Sequence, residues 1–112
     1  MNFKLTIAAL LLAMTLSLPS TAKAESFELD LIDMRLPATA AGFVAYRACQ
    51  GCAFTRSQTT ADTVYELNGN SVTFQQFRRA ANGAADKKRA LVTILYDTDI
   101  ERITLISVRI RS

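Results

Sequence analysis

The chain has no histidine and no tryptophan, and only two cysteines, two prolines and four glycines in 112 residues. Each shortage excludes something. Without histidine there is no Ser-His-Asp or Cys-His catalytic arrangement, no imidazole metal ligand and no C-x-x-C-H haem attachment. Two cysteines cannot complete a zinc site of sulfur and nitrogen ligands within one chain. There are no repeats, low-complexity segments or blocks of like charge, so the length corresponds to one domain. The one long apolar run is shorter than the roughly 20 residues a membrane-spanning helix needs.

That run extends from Leu5 to Leu18, with Lys4 before it, Pro19-Ser20 ending it and Ala22-Lys23-Ala24 after it. A positive start, an apolar centre and a small-x-small site are the marks of a secretory signal peptide, so cleavage is expected after Ala24. No cysteine near the site marks a lipid anchor. The expected mature chain is residues 25–112, a single small β-rich domain of 88 residues in the periplasm or outside the cell, not spanning the membrane once cleaved. Loss of Lys4 and Lys23 lowers the formal charge from +3 to +1. The basicity of the full chain is therefore no argument for an acidic partner, and no nucleic acid is expected. A domain of this size buries a modest core, and a disulfide in an oxidising compartment would help it.

Periodicity predicts a mainly β (α+β) fold, a small antiparallel sheet or open barrel of five to six strands with one short helix. Phe27-Glu28-Leu29-Asp30-Leu31 alternates as a half-buried strand does. Residues 36–42 read as a loop, 43–48 as a second strand, 53–57 as a weaker third and 63–67 as a fourth. Asn68-Gly69 is a two-residue hairpin signal, with a short return strand over 70–72. Thr73-Phe74-Gln75-Gln76 fits a helix capping box, with Val72 and Phe77 placed for a hydrophobic staple. Phe74, Phe77 and Ala81 share one helical face, and Asn82-Gly83 ends the helix. Residues 90–96 and 103–110 make a last hairpin. Phe27, Phe43, Tyr46, Phe54, Tyr65, Phe74, Phe77 and Tyr96 are spread one or two per element, as core aromatics are.

Cys49-Gln50-Gly51-Cys52 is the one constellation with chemical potential. The reading it favours is a structural disulfide clasping a turn, worth about 2 kcal/mol for so short a loop. A redox-active dithiol is an alternative, but the residues after Cys52 lack the helical stripe that thiol oxidoreductases place there. Arg47 is close enough in sequence to favour a thiolate. Cu(I) bound by the two thiolates is another alternative, although Met34 is the only methionine outside the leader. A plain free dithiol is the last. The string Asp97-x-Asp99-x-Glu101 has the look of a calcium loop, but it sits where a turn is expected. Arg78, Arg79, Lys87, Lys88 and Arg89 form a possible anion-binding patch, or a solvated face.

The run from Thr63 to Thr73 contains Thr63-x-Tyr65 and Asn68-Gly69. With Cys49-x-x-Cys52 upstream, it resembles uncharacterised small exported proteins of Gram-negative bacteria, which have no assigned activity. The resemblance implies localisation and a small β-rich fold, and no catalytic residue. The expectation is an exported, non-catalytic binding or structural module with a disulfide and no cofactor. The alternatives are a thiol redox or Cu(I) protein acting through Cys49 and Cys52, and association with an anionic surface through the basic patch.

Overall fold

The computed structural model of the chain describes residues 24–110. The expected signal peptide lies outside them, apart from Ala24, which begins the first strand. The elements run β1 (Ala24–Asp30), a 3-10 turn (Leu31–Asp33), β2 (Met34–Arg35), β3 (Phe43–Tyr46), β4 (Thr55–Leu67), β5 (Asn70–Val72), α1 (Phe74–Asn82), β6 (Leu91–Asp97) and β7 (Arg102–Arg109). The fold is mainly β with one short helix, and the sheet curls into an open half-barrel.

The strand order is β1-β6-β7-β4-β3-β2, with β5 added to the far end of β4. β1 and β2 are joined only by the 3-10 turn, yet they stand at opposite ends of this order. The turn therefore draws the two edges of the sheet toward each other. Across the opening the rings of Phe27 on β1 and Tyr46 on β3 lie 5.7 Å apart.

The pairing is not antiparallel throughout. β4 and β7 run parallel, with Tyr65 opposite Ile106 and Leu67 opposite Val108. Parallel neighbours need a crossover connection, and here β5, α1 and β6 supply it. A second departure is that the expected third and fourth strands are one. β4 is continuous from Thr55 to Leu67 and bends where the register with β7 shifts between Thr59 and Val64. Its first half pairs with β3 and its second half with β5 and β7. Thr63 sets the bend: its hydroxyl donates to Ile103 O at 2.7 Å and accepts from Thr60 N at 2.8 Å. A bulge this wide separates two apolar patterns that sequence periodicity counts as two strands.

The inner face is filled by Val44, Val92, Ile94, Ile103, Ile106 and Val108, none of them exposed at all. Helix α1 closes this core. Thr73 and Gln76 make the reciprocal capping box, and Phe74, Phe77 and Ala81 are buried as the spacing predicts. The rings of Phe74 and Phe77 meet Tyr65 of β4 at 5.1 and 5.2 Å. Nine residues are too few for an independent helix, so α1 depends on this contact. Asn68 and Gly69 both take positive φ, 50° and 87°, as the tight hairpin requires.

The aromatic expectation needs correction at two positions. Val44 and Tyr46 point inward, so alternation turns Phe43 outward, and it is 51% exposed. Phe54 is only half-buried and lies under arginine side chains on the outer side.

Candidate functional site: a clasped turn beside an open groove

Cys49 and Cys52 are joined as a disulfide, with Cα atoms 5.2 Å apart. The turn between them is closed by Cys52 N donating to Cys49 O at 3.2 Å. Gly51 has φ +86°, a value a side chain would strain. The bridge is therefore seated on a tight turn whose backbone brings the two cysteines together. Residues 53 and 54 have no regular structure and lead directly into β4, so no helix begins at the pair. Arg47, two positions upstream, is already engaged. Its Nε donates to Asp33 Oδ1 at 2.8 Å, and its backbone N–H donates to Asp33 O at 3.0 Å. This double link ties the end of β3 to the 3-10 turn, with the Asp33 carboxylate nearly buried.

The clasped turn forms one rim of a groove that follows the free edge of β1. One stretch, of about 460 Å³, is lined by Phe27, Leu29, Tyr46, Ala48 and Thr55 among others. The next, of about 410 Å³, shares Glu28, Leu29 and Ala48 with it and reaches Asp30, Asp33, Cys49, Gln50 and Lys88. The groove therefore grades from apolar at the Phe27–Tyr46 end to charged at the disulfide end. A third cleft, about 370 Å³, lies between the 3-10 turn and the end of α1, with Met34 and Lys87 in its wall. Met34 is buried in the core and lines this cleft, whereas Cys49 lines the groove.

The expected anion-binding residues are distributed. Arg78 and Arg79 are on α1, and Lys87, Lys88 and Arg89 are in the turn before β6. Lys87 and Lys88 line different clefts, and Arg89 lies 3.5 Å from Asp86. Asp97 behaves as a turn residue: its Oδ1 accepts from the backbone N–H groups of Asp99 at 2.9 Å and Ile100 at 3.4 Å. Among the described residues no group of three or more acidic or thiol side chains is arranged to hold a metal ion. No helix among them is long and apolar enough to cross a membrane.

Two features were not singled out from the sequence. One is a buried polar knot. Thr59 is 2% exposed; its hydroxyl donates to Ala40 O at 2.8 Å and accepts from Gly42 N at 3.0 Å, while Tyr65 also donates to Ala40 O at 2.8 Å. It fixes the 36–42 loop to the sheet. The other is an arginine ladder. Arg35 and Arg47 lie over the Phe54 ring at 4.7 and 4.9 Å, and Arg56 over Phe43 at 4.8 Å. The local signal was slight, because Phe54 precedes β4 and the ladder is assembled from β2, β3 and β4.

Compared with family models, curated proteins and solved structures, the chain matches none.

Proposed function

We propose that this protein is an exported, non-catalytic binding module of the periplasm or extracellular space, with Cys49–Cys52 as a structural clasp. The observation that carries the proposal is the groove along the free edge of β1, with the clasped turn as its rim. An apolar stretch between Phe27 and Tyr46 next to a charged stretch at Glu28, Asp30 and Lys88 suits an amphipathic ligand segment. The disulfide agrees with an oxidising compartment, as does the leader expected from the sequence. Thiol exchange finds little support. A helix start at the pair would hold a thiolate, and none begins there; Arg47 is committed to Asp33, which leaves Lys88 across the groove as the cation in the lining.

Two measurements test the proposal. Denaturing mass spectrometry of the protein from a periplasmic extract is expected to give the mass of residues 25–112 less two hydrogens. A full-length chain, or two thiols that alkylate without reduction, overturns the exported and structural parts. For the groove, the apolar dye anilinonaphthalene sulfonate is the probe. It is expected to bind the folded protein and to lose most of its affinity for a Phe27→Ser variant of unchanged secondary structure. Equal binding by both overturns the groove.

A further inference from the structure

We propose that the outer face of β2, β3 and β4 is a docking surface for the phosphate headgroups of an anionic lipid layer. This surface lies outside the β1 groove and does not depend on what fills it.

Arg35 of β2 is opposite Ala45 of β3, and Ala45 is opposite Arg56 of β4. Residues directly opposite share a face, so two arginines flank one small side chain across three strands. Phe43, two positions before Ala45, is on the same face, opposite Gln58. Arg47 and Phe54 extend it, because Arg35 and Arg47 cover the Phe54 ring from 4.7 and 4.9 Å. Arg56 covers Phe43 from 4.8 Å, and Phe43 still leaves 51% of its surface to solvent.

The charges on this face are not equally used. Asp33 holds Arg47. Among the described residues Arg35 and Arg56 make no ion pair. Arg35 and Arg56 are each held over a ring, and among the described residues no hydrogen bond occupies their N–H edges. Those edges match a phosphate with two parallel hydrogen bonds, and the guanidinium loses little hydration on making them. Exposed Phe43 beside these edges supplies the apolar contact that a headgroup–acyl boundary accommodates.

The shape selects a layer over a small anion or an acidic peptide. The core occupies the inside of the curl, so this face is the convex one. Arg35 reaches the wall of the cleft between the 3-10 turn and α1, whereas Phe43, Phe54 and Arg56 line none of the three clefts described above. A free phosphate or a peptide needs walls to be held, whereas a lipid surface brings its own extent. The 78–89 basic cluster is a poorer candidate, because its charges are divided between α1 and the following turn and Arg89 lies beside Asp86.

Vesicles of equal parts phosphatidylglycerol and phosphatidylcholine are the probe, with pure phosphatidylcholine as control. All variants share one N-terminus, so their differences report the face alone. The protein is expected to bind the anionic vesicles and not the neutral ones. R35Q/R56Q is expected to bind about 30-fold more weakly, the combined effect of two surface charges. R35K/R56K, which keeps charge but not planarity, is expected between the two. The five-residue variant R78Q/R79Q/K87Q/K88Q/R89Q is expected to stay closer to the parent than R35Q/R56Q does. On the unaltered protein, phenylglyoxal mapping is expected to show Arg35 and Arg56 protected by vesicles while Arg78 and Arg79 stay reactive. The proposal is overturned by unchanged affinity in R35Q/R56Q, or by loss of binding in the 78–89 variant alone. Absence of protection at Arg35 and Arg56 also overturns it, and so does full competition by millimolar inorganic phosphate. Binding to polyglutamate in place of vesicles would assign the face to an acidic polymer instead.

Discussion

Tyr65 sits where α1, the bent strand β4 and the 36–42 loop meet. Its ring touches Phe74 and Phe77, and its hydroxyl donates to Ala40 O. Burial pushes its pKa above the ordinary phenol value of 10.0, with the Thr59 hydroxyl pulling the other way. The folded protein therefore keeps this proton at pH values where the unfolded chain has lost it. The resulting stability is complete below pH 10 and is lost as pH rises beyond it. Tyr65→Phe is expected to flatten this alkaline decline in urea melts, while costing about 1 kcal/mol at neutral pH for the lost hydrogen bond. Tyr96 is shifted the same way, first by desolvation and then by Glu101, so some decline is expected to remain. The disulfide belongs to the same scale. Replacing Cys49 and Cys52 by serine is expected to cost about 2 kcal/mol, or about 10 °C in melting temperature, with secondary structure retained by circular dichroism. Loss of vesicle binding in that variant would connect the clasp to the arginine face next to it.

At the scale of elements, α1 is the part most clearly written in the sequence. The Thr73–Gln76 box, the Phe74–Phe77–Ala81 stripe and the Asn68-Gly69 hairpin are all local devices, and each formed where its residues stand. Thr73→Ala is expected to cost about 1 kcal/mol by orphaning the Gln76 N–H, measured by chemical denaturation. What could not be read locally is of two kinds. The bend in β4 depends on Thr63 finding Ile103 O, a partner forty positions away, so residues 55–67 look like two strands. The parallel β4–β7 pairing likewise depends on α1 and β6 carrying the chain across the sheet. The candidate site was legible as a cysteine pair with a turn between, because both ends of the device lie within four residues. The groove and the arginine ladder were not. Both are made by strands distant in sequence, and which way Phe43 points is set by whether Val44 or its neighbour faces the core.

At the scale of the molecule, the half-barrel leaves an edge strand of seven residues unpaired on one side. Exposed edges invite pairing with another chain, and charged side chains are the usual defence. Glu25, Glu28 and Asp30 are exposed along β1 and supply that defence. Changing all three to threonine is expected to convert a monodisperse protein into self-associating species in sedimentation velocity. The parent sequence under the same salt conditions should not do so. The order of the strands also bears on how the chain is made. β1 is the first strand to emerge, and its hydrogen-bonding neighbour is among the last: Phe27 must wait for Ile94. A chain synthesised from its amino end cannot complete this sheet until β6 and β7 have followed β1. The sheet therefore keeps its own timetable: its first edge stays open until its last strands arrive.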